Sequence, residues 1–265
     1  LSSFDLSSFF WSIVLTRNSR RYCGLSLPFG GIIYAYSMLS FGVSIAPAVA
    51  QRYFKSSLSS KVLESSIIHV DDCLIHSDSG NLHLETIKEL MSNLKDAGLL
   101  IHYSKLKLFQ EQIQFLGYTF KSGTYEILQE RKKIISNMEI PKTRASMLSF
   151  LGTVNFVSSF IDSYSILCAV LYPSLKPHVK FQLSELQIRT VKLLQKKIED
   201  SEALYLLNKD KPVEIYTDAA YWGIGACILQ VLNGRRCVLQ FYSSKFNEME
   251  ARRMTSVEKE LSGLL

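Results

Sequence analysis

Cysteine is scarce in this 265-residue sequence, and the few residues present form no framework. They are odd in number, widely scattered and include no C-x-x-C pair. This pattern argues against a disulfide scaffold and against a structural zinc site, and it is typical of a protein from a reducing compartment. The five residues are Cys23, Cys73, Cys168, Cys227 and Cys237.

Long apolar runs are lacking as well. The stretch that comes closest, Tyr34–Ala50, is interrupted by serines, a glycine and a proline. Since a membrane-spanning helix needs roughly 18 or more consecutive apolar residues, we predict no such span. The first residues show neither a signal-peptide pattern nor an initiating Met, so we expect the sequence to be a fragment of a longer protein.

Blocks of charge of one sign are also missing. Charged residues make up 20% and hydrophobic residues 47% of the chain, a balance that argues against disorder. The formal net charge is +6, which favours a polyanionic partner such as nucleic acid. A chain of 265 residues is long enough for one large domain or two modest ones.

The first 120 residues alternate between patterns of short strands and of helices. Apolar residues spaced by three or four indicate helices, and apolar runs on both sides of an acidic pair indicate a hairpin. The sequence therefore predicts a strand leading into a helix over Leu1–Phe10, a helix entered through Pro47 over Ala46–Lys55, a hairpin over Ser66–His76, a helix over Leu82–Ala97 and strand over Ile101–Phe120.

The rest of the chain changes pattern twice. Residues 125–200 are predicted to be mostly helical, with helix starts near Pro141 and Ser184. Three strands follow, with the Asn233-Gly234 pair as a type I′ turn between the second and third. They are predicted over Val213–Asp218, Gly223–Gln230 and Cys237–Ser243, and a further helix is predicted from near Met254.

Acidic residues at two places point to chemistry. Asp71 and Asp72 form a pair at the tip of the predicted hairpin, and two adjacent carboxylates repel each other unless a divalent cation binds there. The alternative is that the pair only makes a good turn. Asp5 ends an apolar strand, and two-metal phosphoryl transfer needs carboxylates from separate strands at one point. We therefore expect the carboxylates of Asp5 and Asp71 to converge.

Five segments resemble, in order and at plausible spacing, the motifs of reverse transcriptases of Ty3/gypsy retrotransposons and retroviruses. LSSFDLSSFFWSIVL (1–15) resembles the first catalytic motif, LSFGVSIAPAVAQRYF (39–54) the nucleotide-pocket motif, IIHVDDCLIHS (67–77) the Asp-Asp motif, GLLIHYSKLKLF (98–109) the lysine-bearing segment and FLGYTF (115–120) the primer grip.

The resemblance continues through the thumb signature (144–161) and the start of an RNase H domain (203–230 and 241–265). It implies an α+β fold, with a palm built on an antiparallel sheet with helices, a helical thumb, and a truncated RNase H-like α/β lobe. The domains would be 1–122 (palm, with the fingers missing), 123–202 (thumb or connection) and 203–265 (the N-terminal part of RNase H). Further RNase H carboxylates would lie beyond Leu265, and the truncated lobe should expose its apolar faces.

Roles follow from the same resemblance. Asp5, Asp71 and Asp72 would be catalytic metal ligands, and Lys105 would act near the leaving pyrophosphate. Asp218 and Glu260 would be catalytic metal ligands of RNase H, while Glu258 would point elsewhere. The substrate-binding residues would be Phe10, which excludes a ribose 2′-hydroxyl, Phe41, Gly42 and Gln51 of the nucleotide pocket, and Phe115, Leu116, Gly117 and Tyr118 of the primer grip. Phe9 is the neighbouring candidate for the sugar gate.

The resemblance also implies cofactors, partners and a location. Each site would use two ions of Mg²⁺ or Mn²⁺, with an RNA or DNA template–primer and deoxynucleoside triphosphates as partners, no membrane, and an intracellular place in a cytoplasmic retroelement particle. Two rivals stay open. One is a degenerate or co-opted copy that binds nucleic acid without catalysis, favoured by the unusual Phe9 and His69. The other is an unrelated metal-dependent nuclease.

Overall fold

The chain forms two compact units in a computed structural model, which describes residues 1–27, 33–176, 180–221 and 223–262. The first unit is Leu1–Phe115 and the second is Leu116–Leu265. Each unit has a hydrophobic core of its own. The predicted domain boundaries after residues 122 and 202 are a finer division, and they stay predictions.

The first unit contains a mixture of strands and helices. Its strands are β1 (Ser2–Ser7), β2 (Gly24–Ser26), β3 (Ile33–Ala35), β4 (Ser66–His69), β5 (Asp72–Ile75), β6 (Leu100–Ile101) and β7 (Ile113–Phe115). Its helices are α1 (Arg17–Arg20), α2 (Ala46–Ser56), α3 (Ser60–Glu64) and α4 (Gly80–Asp96), with short 3₁₀ turns at Phe9–Ser12 and Tyr103–Lys105.

An antiparallel sheet in the order β4-β5-β1-β6 organises this unit. Successive side chains of β1 point to opposite faces, so Phe4 and Leu6 are buried while Asp5 between them is turned to the other face. Phe54 from α2 and Leu90 from α4 belong to the same core. The palm-like antiparallel sheet with helices is therefore confirmed.

One prediction in this unit is wrong. Ile101–Phe120 is not continuous strand, because the chain leaves the sheet after Ile101 and passes through the 3₁₀ turn Tyr103–Lys105. His102 donates its backbone N–H to the Asp5 carbonyl, and Lys107 exchanges backbone hydrogen bonds with Ser3. This segment therefore follows β1 without extending the sheet regularly.

The second unit combines helices with two groups of strands. Its strands are β8 (Tyr118–Lys121), β9 (Thr124–Ile127), β10 (Leu204–Tyr205), β11 (Glu214–Ala220), β12 (Gly223–Leu232) and β13 (Arg235–Lys245). Its helices are α5 (Gln129–Ser136), α6 (Arg144–Asn155), α7 (Tyr164–Leu171), α8 (Glu185–Glu199), α9 (Glu248–Arg253) and α10 (Ser256–Leu261), with 3₁₀ turns at Ser158–Phe160 and Tyr172–Leu175.

The predicted C-terminal meander is confirmed. Strands β11, β12 and β13 pair antiparallel in sequence order. Asn233 and Gly234 join the last two, and both have positive φ, 52° and 75°, as a type I′ turn requires. The helix predicted from near Met254 is α10, which starts at Ser256.

The meander is covered more than the sequence suggested. Val238 and Phe241 on β13 pack against the helical core, and Ser165 on α7 forms two hydrogen bonds with Ser243. Exposed apolar residues remain on β11, where Ile215 is 50% exposed. The expectation of open apolar faces is thus correct for β11, whereas Val238 and Phe241 of β13 are covered by the helical core of the second unit.

No helix in the described ranges is long and apolar enough to cross a bilayer.

Candidate catalytic sites

Three acidic residues lie near one another where β1 runs beside the turn between β4 and β5. The register of β1 and β5 places Asp5 directly opposite Asp72. Asp71 stands next to Asp72 in the turn from β4, and its backbone carbonyl accepts a hydrogen bond of 3.0 Å from the N–H of Leu6. The register therefore brings β1 and the Asp-Asp hairpin side by side, although 71 − 5 = 66 residues separate the two positions. The convergence of the Asp5 and Asp71 carboxylates on one ion stays a prediction.

The turn that carries Asp71 is strained. His69 pairs with Asp72, so only Val70 and Asp71 connect the two strands. Val70 has a φ of 54°, which a β-branched side chain rarely adopts. Backbone strain of this kind persists only where the surrounding structure enforces it, and it concentrates at functional sites.

Negative charge is crowded at this point. Burial raises the pKa of the Asp72 carboxyl, and the charges of Asp71 and Asp5 raise it further. The Lys105 ammonium lies 2.9 Å from Oδ2 of Asp5, and this hydrogen bond raises the pKa of Lys105. Lys105 therefore balances part of the charge of the three carboxylates.

The residue types at this place are ones that bind hard divalent cations, because carboxylate oxygens are the ligands that Mg²⁺ prefers. The arrangement of their side chains does not by itself form an ion site. In the part of the chain that the structure describes, no group of three or more His, Cys, Asp or Glu residues is arranged so that it could hold a metal ion. One oxygen of Asp5 is hydrogen-bonded to Lys105.

Aromatic rings lie directly after β1. Phe10 is half-buried, and its ring centroid lies 5.0 Å from that of Phe41, which is 64% exposed. Phe9 is only 3% exposed and packs edge-on against Phe54 in the core, with 5.7 Å between ring centroids. Of the two neighbours, Phe10 is the one at the surface, and Phe9 is a core residue.

The other predicted pocket residues lie on or before α2. Gly42 follows Phe41 with a φ of +89°, a conformation that favours glycine. Ala46, Ala50 and Phe54 form the buried side of α2, and Gln51 is half-buried beside it.

The predicted primer-grip residues fall at a two-residue turn. Phe115 ends β7 and is buried, Tyr118 begins β8, and Leu116 and Gly117 between them have φ values of 48° and 82°. Tyr118 does not project freely: its hydroxyl donates to the Phe156 carbonyl over 2.8 Å, and its ring stacks on that of Phe156. Burial raises the pKa of the Tyr118 phenol.

The RNase H candidates lie on the C-terminal strands and helix. Asp218 is exposed on β11 opposite Gly225, and it lines a cavity of about 490 Å³. Asp162 and Cys227 line the same cavity, and burial raises the pKa of the Cys227 thiol with a further contribution from the charge of Asp162. Asp162 was not predicted, because it comes from the loop before α7 and matches no motif.

Helix α10 packs on β11 and separates its three charged residues. Glu258 accepts hydrogen bonds from the backbone N–H and the hydroxyl of Thr255, so it caps its own helix. Lys259 turns inward, with its ammonium 4.6 Å from the ring centroid of Tyr221. Glu260 is exposed, and its convergence with Asp218 stays a prediction.

Two family models match the chain. Residues 1–120 match reverse transcriptase (RNA-dependent DNA polymerase), and residues 183–265 match the RNase H-like domain found in reverse transcriptase. The Tf2-7, Tf2-8 and Tf2-11 transposon polyproteins of Schizosaccharomyces pombe are 27% identical over 263 residues, which is 98% of this chain. The chain spans only 19% of the length of each of these relatives.

Solved structures share the fold. A foamy viral protease–reverse transcriptase in complex with double-stranded DNA matches 99% of this chain and 46% of its own chain, with a TM-score of 0.83 and 21% identity. The same kind of protein in complex with an RNA/DNA hybrid matches 99% of this chain and 35% of its own, with a TM-score of 0.82 and 20% identity. At this level of identity the likeness concerns the fold.

Proposed function

We propose that this chain, which matches the reverse transcriptase family over residues 1–120 and the RNase H-like domain found in reverse transcriptase over residues 183–265, takes part in RNA- and DNA-templated DNA synthesis. The reaction would be in-line attack of a primer 3′-hydroxyl on a deoxynucleoside triphosphate, with pyrophosphate leaving. The observation that carries this proposal is the placement of Asp5 opposite Asp72, with Asp71 beside it and Lys105 bound to Asp5.

In this proposal the carboxylates bind the catalytic metal ions. The two families generally use divalent metals, and here Asp5 and Asp71 would be the ligands of Mg²⁺ or Mn²⁺, with Asp72 beside them. Two such ions supply activation of the attacking hydroxyl and neutralisation of charge on the triphosphate. Lys105 donates a hydrogen bond to Oδ2 of Asp5, an oxygen that a metal ion would need. On substrate binding the ammonium of Lys105 would therefore turn to the leaving pyrophosphate, as an acid or charge stabiliser.

The remaining side chains would choose and hold the substrates. The half-exposed ring of Phe10 would exclude a ribose 2′-hydroxyl by steric contact, and Phe41, Gly42 and Gln51 would shape the nucleotide pocket around it. The turn at Leu116 and Gly117, with Phe115 and Tyr118 on either side, would position the primer end. Asp218 and Glu260 would belong to a second metal-dependent site that cleaves RNA.

Primer extension by the Asp71→Asn variant tests the proposal. With Mg²⁺ or Mn²⁺, the unaltered protein should extend a DNA primer on RNA and DNA templates, and Asp71→Asn should lose this activity by more than about 100-fold. The estimate rests on the ~10–100-fold that partners outside the ligand shell are already worth. Binding of the primer–template should be nearly unchanged, because phosphate contacts come from cationic residues.

The control is Asp78→Asn, an exposed Asp just before α4 that makes the same charge change. It should extend primers at the normal rate. Binding without any extension by the unaltered protein would favour the rival, a copy that holds nucleic acid without chemistry. Equal loss of binding and extension in Asp71→Asn would mean that the Asp pair is structural.

A further inference from the structure

Arg131 on α5 is held in a column of planar groups. Its guanidinium carbon lies 4.1 Å from the ring centroid of Phe156. The Phe156 ring also stacks on the ring of Tyr118, with 5.2 Å between centroids and 13° between planes. Tyr118 also donates a hydrogen bond from its hydroxyl to the Phe156 carbonyl, so Tyr118 holds both the ring and the backbone of Phe156.

Gly117 leaves the space that the guanidinium occupies. A Cβ at this position would lie 3.0 Å from one terminal nitrogen of Arg131 and 3.2 Å from its central carbon. The φ of Gly117 is +82°, a conformation that favours glycine, and a Cβ here would also push the Arg131 guanidinium aside. The Arg131 side chain therefore packs directly against the turn at Gly117.

Arg131 interacts with the Phe156 ring but forms no salt bridge within the described part of this chain. Lys121 is paired with Glu126, Lys142 with Glu139 and Arg189 with Glu185, whereas no Asp or Glu among the described residues forms a salt bridge with Arg131. Stacking engages the face of a guanidinium and leaves N–H donors at its edge. These donors match two oxygens of a phosphate, and little side-chain freedom is lost on binding because the group is already held.

We propose that Arg131 is a phosphate-binding residue, which takes a phosphodiester of the nucleic-acid backbone at the turn formed by Leu116 and Gly117. The inference rests on the proposed function, since it assumes that a primer–template is the ligand. Phe156 is a positioning residue, because its ring holds the guanidinium, and Tyr118 stacks on that ring. The column thereby gives the primer-grip turn a cation that its own four residues lack.

The test is the salt dependence of primer–template binding, measured by fluorescence anisotropy on the 265-residue chain between about 50 and 200 mM KCl. Arg131→Gln should weaken binding about tenfold at low salt and reduce the slope of log K against log[salt] by about 0.9, the value of one phosphate contact. Arg131→Lys should keep the slope and bind more weakly than the unaltered protein, because it keeps the charge without the planar fork.

Arg189→Gln is the matched control, since it removes the same charge from a side chain that is 74% exposed and paired with Glu185. It should leave affinity and slope close to those of the unaltered protein. An unchanged slope in Arg131→Gln would overturn the inference and leave Arg131 as a packing residue, with the proposed function untouched. Absence of salt-dependent binding in the unaltered protein would overturn both.

Discussion

At the scale of single residues, the alternation of side chains along β1 determines the face on which Asp5 lies. Phe4 and Leu6 must face the core, and a strand sends every second side chain to the opposite face. Asp5 is therefore placed on the opposite face from the core, opposite Asp72, by the apolar residues on either side of it. A shift of one residue would bury the carboxylate and remove the site.

The two adjacent rings after β1 should behave differently when truncated. Phe10→Ala should let ribonucleotides compete at least about tenfold better, equivalent to ~1.4 kcal/mol in transition-state binding. Phe9→Ala should instead lower the free energy of unfolding by about 3–5 kcal/mol, because its ring is 3% exposed and packs on Phe54.

Steady-state kinetics with both kinds of triphosphate, alongside thermal unfolding, separates these outcomes. A change in sugar discrimination in a folded Phe9 variant, with none in Phe10→Ala, would assign the gate to Phe9.

The raised pKa of Asp72 should make its effect on stability depend on pH. A carboxyl whose pKa is higher in the folded than in the unfolded state stabilises the fold below the ordinary Asp pKa, and this contribution is lost as pH rises through the folded pKa. At pH 7, Asp72→Asn should therefore raise the Tm by about 2 °C, because it removes the cost of burying a charged carboxylate and the repulsion from Asp71 and Asp5.

The gain should vanish on acidification below the ordinary Asp pKa, where Asp72 is protonated in both states. Asp210→Asn, at an exposed turn position, should show neither effect. Thermal scans of both variants across acidic and neutral pH measure this. A gain for Asp72→Asn that stays constant with pH would show that charge is not its cause.

At the scale of elements, turns set where functional residues stand. Val70 in the β4–β5 turn and Leu116 before β8 both hold positive φ without being glycine. The Asn233-Gly234 turn obeys ordinary sequence preferences and was predictable, whereas the other two are imposed by the strands they join. The conformations at the candidate site are thus those that local preference explains least.

Two glycines of β12 form a natural pair for testing close strand packing. A Cβ on Gly223 would lie 2.5 Å from the backbone oxygen of Ser244, while one on Gly225 would meet nothing within 4 Å. Gly223→Ala should therefore cost about 1–3 kcal/mol of unfolding free energy, which is ~2–4 °C in Tm per kcal/mol for a unit of this size.

Gly225→Ala should stay within about 0.5 kcal/mol of the unaltered protein. Differential scanning calorimetry compares the two. An effect of Gly223→Ala as small as that of Gly225→Ala would mean that β12 and β13 can move apart without cost.

At the scale of the whole molecule, the core of the second unit joins segments that the motifs assign to different domains. Leu204 on β10 is 3% exposed in the helical core, and Val238 and Phe241 on β13 pack on the same core. The helices of residues 123–202 therefore have part of their apolar surface covered by the C-terminal strands. The first unit has a separate hydrophobic core of its own.

Removal of residues 203–265 should expose that surface and loosen the helices. Amide hydrogen exchange should speed up by at least about tenfold in α6, while β1 and β5 keep their protection. Removal of residues 246–265 alone, which spares β10 and β13, is the control and should leave α6 protected. Unchanged exchange in α6 after the larger deletion would show that the helices form a stable domain by themselves.

The sequence by itself predicted the resemblance to reverse transcriptases, the hairpin of β4 and β5, the C-terminal meander and the candidate catalytic carboxylates. These depend on short-range patterns: strand alternation around Asp5, the apolar runs flanking Asp71, and turn chemistry at Asn233. Helix α2 was predictable for the same reason, since Pro47 and the spacing of its buried residues are local signals.

Only the tertiary structure decided which of these residues touch. The hydrogen bond of Lys105 to Asp5, the placement of Asp162 on the cavity of Asp218 and the column of Arg131 on Phe156 all join distant segments. Their geometry depends on how strands register and how helices pack, and side-chain contacts of that kind leave no periodic trace along the chain. The packing of β13 on the helical core could not be predicted from the sequence for the same reason, because an apolar strand face does not specify which element will bury it.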